Sequence, residues 1–266
     1  MSKKITIVII AKNEAENLKK LLPLLNWAEV LVIDNNSSDE TEKVINDFGV
    51  SYLKTKKDNF AEIRNLALEK VETDYIFYLD ADERITNELK NEILSLVDDK
   101  SLEVAKLKRD NFFYGEKIYY GGWQNDYVTR IFRKDLLKKW NGEIHESPEF
   151  TGSEKVLKSS LWHFTHRKTE DNLRKSSEWT IKEARLLAKK EKNKVTAFLI
   201  LRKMMMEFFR RYIRDKGYND GMLGFVEALV QSINRALVYI QVWELQQEPT
   251  IERKYEQWED EVARQQ

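Results

Sequence analysis

The sequence contains no cysteine among its 266 residues. Disulfide bonds, zinc sites built on thiolates and thiol nucleophiles are therefore excluded. The glycine-rich patterns GxxxxGK[ST] and GxGxxG are also missing, which excludes P-loop nucleotide binding and the dinucleotide-binding Rossmann fingerprint. Because 42% of the residues are hydrophobic and 34% are charged, the chain can form a core while carrying a densely charged surface.

The chain has no excess of either charge, with 45 lysines and arginines against 45 aspartates and glutamates. This balance argues against a protein dedicated to nucleic-acid binding. The zero total conceals two unequal regions. Residues 167–216 hold sixteen basic against seven acidic residues, whereas residues 217–266 hold four against nine.

Long hydrophobic runs are also missing from the sequence. No uninterrupted apolar stretch approaches the roughly 20 residues that span a bilayer, and the first residues show no signal-peptide pattern. We therefore expect a cytoplasmic protein. Apolar and basic residues interleave over 198–214, which leaves two alternatives open. This region could contact the cytoplasmic face of the inner membrane peripherally, or it could pack on the catalytic region or on another subunit of a homo-oligomer.

The first hundred residues alternate between short apolar runs and helical patterns. The apolar runs are 5–10, 30–34, 50–53 and 75–80, and the helical patterns are 14–25, 39–48, 60–71 and 86–97. This alternation predicts βαβ units and a parallel sheet. Ser38 or Asp39 is expected to begin the second helix, and Asp58 or Asn59 the third.

The pattern changes in the second half. Residues 102–164 alternate aromatic, strand-like pieces with glycines, which predicts mixed or antiparallel strands with long loops. From about residue 169 the pattern is helical, with breaks near Asn193, 217–221 and Pro249. We predict an α/β catalytic domain over 1–166 and a helical region over 167–266.

The most informative feature is Asp80-Ala81-Asp82, which closes the apolar run Tyr75–Leu79. Side chains alternate along a strand, so both carboxylates are expected to point the same way. Ligands of open α/β sheets bind outside the carboxyl ends of the strands. Two carboxylates at that edge suit a hard divalent cation that carries substrate phosphates. A helix start favoured by acidic residues is the alternative interpretation.

Other predicted strand ends carry polar residues as well. Asn13 and Glu14 follow the first strand, and Asp34 and Asn35 follow the second. These polar clusters could bind a base and a ribose, or Asn13, Ser38 and Asp39 could cap the following helices. Arg64, early in the third helix, could reach a diphosphate with its planar guanidinium, although a solvated surface arginine is the alternative.

Four ordered motifs between residues 10 and 83 resemble glycosyltransferase family 2, the inverting GT-A type, and the resemblance covers most of residues 4–165. They are Ile-Ala-Lys-Asn-Glu at 10–14, Val-Ile-Asp-Asn-Asn-Ser-Ser-Asp-Glu-Thr at 32–41, Ala-Glu-Ile-Arg-Asn at 61–65 and Leu-Asp-Ala-Asp-Glu at 79–83. The segments at 121–127, 130–134, 142–146 and 217–221 are similar to the branch that contains the lipopolysaccharide inner-core heptose β-1,4-glucosyltransferases. The resemblance implies a GT-A, Rossmann-like, mostly parallel sheet with a C-terminal helical extension.

The resemblance also implies roles for the strand-end residues. Asp34 and Asn35 would meet the nucleobase, and Glu14 would lie near the base or ribose. Arg64 would lie near the base or diphosphate. Asp80 would contact ribose or a metal-bound water, and Asp82 would bind Mg²⁺ or Mn²⁺ bridging the diphosphate.

Two carboxylates are candidates for the catalytic base. Asp126 falls where relatives carry the catalytic aspartate of a Glu-Asp pair, although Asn125 precedes it here, and Glu146 is the rival. A structural loop aspartate is the alternative interpretation of Asp126. His145 is expected to contact the metal, the diphosphate or the acceptor, whereas His163 and His166 are expected to serve packing and local hydrogen bonding.

These observations predict a metal-dependent inverting hexosyltransferase. The donor would be a UDP-hexose, with UDP-glucose the first candidate, and the acceptor a glycolipid or oligosaccharide of a lipid-linked cell-envelope glycan such as the lipopolysaccharide core. The alternatives are a peptide acceptor, another nucleotide-sugar donor, a nucleotide-sugar-binding protein without activity, and a nucleotidyltransferase. The missing phosphate loop counts against the last of these.

Overall fold

The computed structural model describes residues 3–142, 146–190 and 193–265. The chain divides into two compact units, the first comprising 1–112 and 125–165 and the second comprising 113–124 and 166–266. The sequence-based division at residue 166 left segment 113–124 in the catalytic domain, whereas the structure groups this segment with the helices. We describe each unit separately.

Strands and helices alternate through the first eighty residues. The elements are β1 (Ile5–Ala11), α1 (Ala15–Leu21), β2 (Glu29–Asp34), α2 (Thr41–Asp47), β3 (Ser51–Lys54), α3 (Phe60–Lys70) and β4 (Tyr75–Asp80). These bounds lie within a few residues of the predicted ones, and Asn59 caps α3 as expected. After α1 the chain tightens into a 3-10 turn over Leu22–Leu25, because Pro23 has no amide hydrogen for the α-helical ladder.

The remainder of the first unit is mixed sheet. It contains β5 (Glu83–Ile85), α4 (Asn87–Asp98), β6 (Val104–Phe113), β7 (Glu116–Lys117), β8 (Tyr127–Arg133), β9 (Leu137–Asn141), β10 (Ser147–Phe150), β11 (Glu154–Val156) and β12 (Leu161–Phe164), of which β7 and the last residue of β6 fall in the second unit. The short strand β5 was not predicted. The mixed character expected for 102–164 is confirmed, because β8 runs antiparallel to β4 and β6 while β12 runs parallel to β6.

The main sheet brings the carboxyl ends of its parallel strands to one edge. Its strand order is β3-β2-β1-β4-β8-β6-β12-β5, and the first four strands are parallel. The register pairs Ile10 with Asp80 and Ala11 with Asp34. The predicted α/β class with a mostly parallel sheet is therefore confirmed, and β1, β2 and β4 end at the same level.

Both faces of the parallel strands are buried, as a sheet covered by helices on each side requires. On β1 the side chains alternate, with Ile7 packing into a core that includes Leu18 of α1 and Ile93 of α4. Val8 packs into the other core, with Ile63 of α3. The apolar runs that predicted the strands are continuous because neither face meets water.

The second unit is mainly helical. It contains α5 (Thr169–Lys190), α6 (Ala197–Phe209) with a π-helical turn over Arg210–Arg214, α7 (Gly221–Leu245) and α8 (Ile251–Arg264). The predicted breaks near Asn193, 217–221 and Pro249 fall between these helices. The turn Gly217–Asp220 lies so close to α7 that a Cβ added at Gly224 would stand 1.8 Å from the carbonyl oxygen of Gly217.

One helical stretch among the described residues, 217–245, is long and apolar enough to cross a membrane by length and composition. The expectation drawn from uninterrupted apolar runs did not identify this stretch, because Glu227 and Arg235 divide it. Core helices of soluble proteins pass the same test. Here 39% of the most apolar window is buried, and Glu227 lies 3.3 Å from His166 within this unit.

Candidate functional site at the carboxyl ends of the strands

The loops after β1 and β2 are bound to each other. Asn13 Oδ1 accepts hydrogen bonds from the amide and hydroxyl of Ser38, at 2.7 and 3.3 Å. The Asp39 carboxylate accepts from the amides of Ala15 at 3.2 Å and Thr41 at 2.9 Å. Burial opposes ionisation of Asp39, but these hydrogen bonds lower its pKa. Asp39 therefore binds the first amide of both α1 and α2, although Glu14 and Glu40 hold the N-cap positions of these helices.

The predicted nucleobase contacts lie at this same edge. Asp34 is buried at the end of β2, and its Oδ1 accepts from the Ser37 amide at 3.1 Å. Asn35 donates its side-chain amide to the carbonyl of Lys57 at 3.0 Å. Glu14, directly before α1, accepts from the side-chain amide of Asn17 at 2.6 Å. These contacts fix the loop conformations, and the nucleotide roles of Glu14, Asp34 and Asn35 stay predictions.

Asp80 and Asp82 are separated by a turn rather than by a strand residue. Strand β4 ends at Asp80, residues 81–82 form a turn, and β5 begins at Glu83. We predicted that alternation along one strand would align the two carboxylates. This reason is wrong, because Asp82 does not lie on the strand that ends at Asp80. The turn closes because Glu83 Oε2 accepts from the Asp80 amide at 2.9 Å. Asp82 is placed by this turn, and its carbonyl accepts from the Phe164 amide at 2.9 Å.

Two arginines converge on the Asp80 carboxylate. Arg130 of β8 donates from Nη2 to Oδ2 at 2.6 Å, and Arg64 Nη2 lies 3.9 Å from Oδ1. Burial would raise the pKa of Asp80, but Arg130 and then Arg64 hold it below its ordinary value. Arg130 in turn has a raised pKa, since Asp80 and Glu83 outweigh the effect of burial. Asp80 is thus held as a carboxylate between two guanidinium groups.

Arg64 also pairs with the second base candidate. Its Nη1 donates to Glu146 Oε1, and its guanidinium carbon lies 4.8 Å from the centre of the Trp140 ring. Arg64 is 3% exposed, and burial, followed by repulsion from Arg130, lowers its pKa. The alternative of a solvated surface arginine is therefore wrong. Within the described part of the chain, Arg64 Nε is buried without a hydrogen-bond partner.

Asp126 is held by two residues of β6. Arg109 binds both carboxylate oxygens as a fork, with Nε at 2.9 Å from Oδ2 and Nη2 at 3.0 Å from Oδ1. Asn111 donates from Nδ2 to Oδ2 at 2.9 Å. Burial opposes the charge of Arg109, but Glu83 and Asp126 raise its pKa. The structure therefore gives Asp126 a fixed orientation that a solvated loop aspartate would lack.

Hydrogen bonds link Asp126 through Asn111 to His163, which lies beside Asp82. Because Asn111 donates to Asp126, its Oδ1 is the acceptor for His163 Nδ1 at 2.6 Å. In a neutral His163 ring, Nδ1 therefore carries the proton. Nε2 then carries a lone pair that does not face Asn111. His163 Nε2 lies 3.6 Å from Asp82 Oδ2. The predicted local hydrogen bonding of His163 is confirmed, but its position beside Asp82 was not foreseen.

Glu83 is the most deeply buried acid of the cluster, with no exposed surface. Burial and the neighbouring Asp80 raise its pKa. Its Oε1 lies 3.5 Å from Arg109 Nη1, while its Oε2 accepts from the Asp80 amide. Glu83 therefore joins the Asp80 side of the cluster to the Asp126 side.

The cluster contains both predicted and unforeseen residues. Asp80, Asp82, Arg64, Asp126 and Glu146 come together as predicted, and His145 lies outside the described residues. Sequence reasoning missed Glu83, Arg109, Asn111, Arg130 and the position of His163. The available signal for Arg109 and Asn111 was their spacing of two in a strand, which places them on one face.

The donor set fits a hard divalent cation in kind. Asp82 supplies carboxylate oxygens, which Mg²⁺ and Mn²⁺ prefer, whereas the imidazole nitrogen of His163 is a ligand typical of transition-metal ions. Among the described residues, no group of three or more such side chains is arranged to hold a metal. A cation bound here would therefore complete its coordination with substrate phosphate oxygens and water, as Mg²⁺ commonly does.

The remaining histidine, His166, and the tryptophan Trp123 lie in the second unit. His166 Nδ1 lies 3.3 Å from Glu227 Oε2, and its ring stacks on Phe113 at 4.6 Å. Trp123 packs edge-on against Phe113 and lies 5.4 Å from the Arg211 guanidinium. The packing role expected for His166 is confirmed, and Trp123 packs against its own unit.

A cavity of about 560 Å³ lies at the opposite edge of the sheet. Its lining includes Thr73 and Tyr75, which stand at the amino end of β4. Since ligands of α/β sheets bind at the carboxyl ends, this cavity has no part in the cluster.

Comparison with known proteins places the chain in a family. The model of "Glycosyl transferase family 2" matches residues 6–159. An uncharacterised glycosyltransferase of Rickettsia prowazekii is 22% identical over 249 residues, covering 88% of this chain and 85% of the relative. The glycosyltransferase SunS of Bacillus subtilis is 31% identical over 150 residues, but only 54% of this chain and 34% of SunS are covered.

Solved structures are more distant. TarS 1-349 of S. aureus in complex with UDP-GlcNAc has a TM-score of 0.47 and 14% identity, covering 88% of this chain and 81% of that chain. GalNAc-T7 with UDP, GalNAc and Mn²⁺ has a TM-score of 0.43 and 14% identity, covering 60% and 44%. These similarities are too weak to assign a function. The family match covers more than half of the chain, and this protein belongs to glycosyltransferase family 2.

Proposed function

We propose that this protein is a metal-dependent inverting glycosyltransferase that takes a hexose from a UDP-sugar. The observation that carries the proposal is the partly buried cluster at the carboxyl ends of the strands, where Asp82 and His163 Nε2 face each other at 3.6 Å. Beside them, Arg64 and Arg130 fix the Asp80 carboxylate. Fixed carboxylates next to guanidinium groups suit a ligand that combines phosphates with a divalent cation.

The donor would bind along the ends of β1, β2 and β4. Asp34 would meet the base, and Asp80 the ribose or a metal-bound water. Asp82 and His163 would hold Mg²⁺ or Mn²⁺, which when bound would stabilise the charge that grows on the departing diphosphate. Arg64 keeps Asp80 and Glu146 in place and offers positive charge to the same leaving group.

Asp126 would act as the base that takes the proton of the acceptor hydroxyl. Its two oxygens offer about four lone pairs, of which Arg109 and Asn111 use three. The remaining lone pair on Oδ1 can accept a proton as the acceptor oxygen attacks the sugar from the face opposite the diphosphate. Glu146 is bound to Arg64, which also lies beside Asp80, and it is the rival base.

The finer identity of the substrates rests on the sequence resemblance alone. It favours glucose as the transferred sugar and a lipid-linked cell-envelope glycan, such as the lipopolysaccharide core, as the acceptor. The assignment to the heptose-modifying branch stays a prediction, as does the cytoplasmic location. A peptide acceptor or another donor sugar would leave the proposed roles of Asp82 and Asp126 unchanged.

The test is UDP release from a panel of UDP-sugars, with Mg²⁺, with Mn²⁺ and with EDTA. We expect release from one UDP-sugar, with UDP-glucose the first candidate, that EDTA abolishes. Adding truncated glycolipid acceptors should then accelerate release. UDP binding without turnover on any acceptor would instead indicate a binding protein, and pyrophosphate release from a nucleoside triphosphate would indicate a nucleotidyltransferase. Absence of UDP binding by calorimetry would overturn the donor site itself.

A further inference from the structure

Helix α6 exposes a row of large apolar side chains. The exposed fractions are 75% for Phe198, 56% for Leu201, 67% for Met205, 56% for Met206 and 61% for Phe209. Their spacing along the sequence places them on one side of the helix. A contiguous apolar patch of this kind on a soluble unit marks an interaction surface.

The row continues onto α7. The ring of Phe225 lies 5.8 Å from that of Phe208 and 5.7 Å from that of Tyr212, so the outer sides of the two helices meet there. Met222, Leu229 and Ile233 of α7 are also exposed. We call this surface the α6 face, defined by Phe198, Leu201, Met205, Met206, Phe209, Met222, Phe225, Leu229 and Ile233.

Basic residues outnumber acidic ones in the segment that carries most of the α6 face. Residues 197–216 hold six lysines and arginines against two acidic residues. One of these acids, Glu207, is bound by Arg210 and by Arg211, the latter at 2.7 Å. Arg202 is exposed within the apolar row. The face therefore combines exposed apolar side chains with a net positive charge.

We propose that the α6 face docks on an anionic lipid bilayer. Apolar side chains would enter the interface while the long arginine and lysine side chains reach the headgroups. The unbranched methionines can adapt to an irregular lipid surface. Anionic headgroups attract basic residues near the bilayer surface, so the charge of this segment complements the partner.

The same charge argues against symmetric pairing of two copies. In a two-fold dimer built on this face, each basic segment would meet an identical basic segment. The rival within the chain is α8 of a second copy, which exposes Tyr255, Trp258 and Val262 and carries five acidic against three basic residues. A lipid surface can engage the whole face at once, whereas a single fourteen-residue helix offers one narrow stripe.

This inference does not depend on the proposed transferase activity. Its test is co-sedimentation of the full chain with vesicles of neutral phosphatidylcholine and with vesicles containing about 30% phosphatidylglycerol. We expect binding to the anionic vesicles that weakens as salt is added. The double variant Met205→Glu/Phe209→Glu should lower the partition coefficient by at least about tenfold. Arg202→Glu/Arg214→Glu should lower it too and reduce its salt dependence.

The matched control is Leu24→Glu, an apolar-to-acid change at an exposed position of the first unit. It should bind vesicles like the wild type, and circular dichroism should match for all variants. Equal vesicle binding by wild type and Met205→Glu/Phe209→Glu would overturn the proposal, as would failure of the wild type to bind anionic vesicles. Sedimentation velocity would identify the rival: a dimer lost both in that double variant and in Trp258→Glu, without vesicle binding, means that a second copy covers the face.

Discussion

The two units depart from the usual distribution of residues in opposite ways. The first unit buries charge, since Arg64, Glu83 and Arg130 are each at most 8% exposed. The second unit exposes apolar groups, such as Phe198 and Met205. Most soluble domains bury apolar residues and leave charged ones in water, so a buried charge and an exposed apolar patch are the two informative exceptions.

The two exceptions differ in what they reveal, because hydrogen bonds between charged groups are directional whereas apolar contacts are not. The buried groups of the first unit stand in pairs with defined oxygens and nitrogens, as between Arg109 and Asp126. Such geometry selects a ligand by its chemistry. The exposed groups of the second unit fix only a surface and its charge, so they select a class of partner. Single substitutions can therefore test the site, whereas the α6 face must be tested by changing several side chains together.

The largest expected effect is that of Asp82→Ala. We expect turnover to fall about 10³-fold, because the variant removes a proposed ligand of the cation that neutralises the leaving diphosphate. The measurement is UDP release as a function of Mn²⁺ concentration, where the variant should also require more metal. Asp98→Ala, which removes an exposed partner of Lys4, is the control and should leave release unchanged. Full metal-dependent turnover by Asp82→Ala would show that the metal role is wrong.

Asp126→Asn should have the next largest effect, with kcat lowered roughly 10²- to 10³-fold by loss of the general base. The amide keeps the shape of the side chain and an acceptor for Arg109, so donor KM should change little. Glu146→Gln is the comparison, and it should act mainly on donor KM. If Glu146→Gln lowers kcat more than Asp126→Asn does, the two roles must be exchanged.

Arg64→Met should destabilise the first unit by about 3 kcal/mol, since removing one partner of a buried ion pair leaves an uncompensated charge. In this case Glu146 loses its arginine partner, while Asp80 keeps Arg130. The measurement is the urea midpoint of unfolding. Lys57→Met, at an exposed pair with Glu62, is the control, with an expected change of at most about 0.5 kcal/mol. A similar midpoint for both variants would mean that Arg64 is not buried as described.

Local sequence signals were enough to predict the parallel strands of the first unit and the sheet edge at which their carboxyl ends lie. Continuous apolar runs predicted β1, β2 and β4, because both faces of these strands are buried. The carboxyl-end rule then placed Asp34 and Asp80 together, as the register confirms. These predictions succeeded because each depends on a few neighbouring residues and on one topological rule.

The partners of the site residues could not be predicted in the same way. Arg109 and Asn111 reach Asp126 because β6 pairs with β8. His163 reaches Asn111 because β12 lies beside β6 in a register that pairs these two residues. That pairing joins residues 52 positions apart, which no local pattern specifies. The segment 113–124 was likewise predicted to lie in the catalytic domain, whereas the structure groups it with the helices. Its contacts are with residues about a hundred positions later.

A smaller effect is expected in the second unit, where a carboxylate binds two backbone amides. Asp220 accepts from the amides of Tyr119 and Tyr120, the latter at 2.7 Å. Asp220→Ala should cost about 1.5 kcal/mol, as expected for a hydrogen-bonded charge. Hydrogen exchange of these two amides should accelerate accordingly. Asp220→Asn retains an acceptor and should cause a smaller change, and unaltered exchange in Asp220→Ala would show that the contact does not hold this segment.

The smallest expected effect is the pH dependence of stability, in which neighbouring carboxylates act with opposite sign. The pKa of Asp80 is lowered from its ordinary value of 3.8, so its stabilisation is present above that value and is lost as pH falls through the lower folded pKa. The pKa of Glu83 is raised from its ordinary value of 4.5. Its stabilisation is therefore present below that value and is lost as pH rises through the raised pKa.

The two variants Asp80→Asn and Glu83→Gln separate these slopes. Asp80→Asn should flatten the acid decline of the unfolding free energy below about pH 4. Glu83→Gln should instead flatten the decline that begins as pH rises above about 4.5, because the buried position no longer has to ionise. Urea unfolding across this pH range measures both. If both variants change the same decline of the unfolding free energy, or neither decline, then burial and the arginines do not set the charges of the two carboxylates. The first unit would then no longer be an example of a buried charged site to compare with the exposed α6 face.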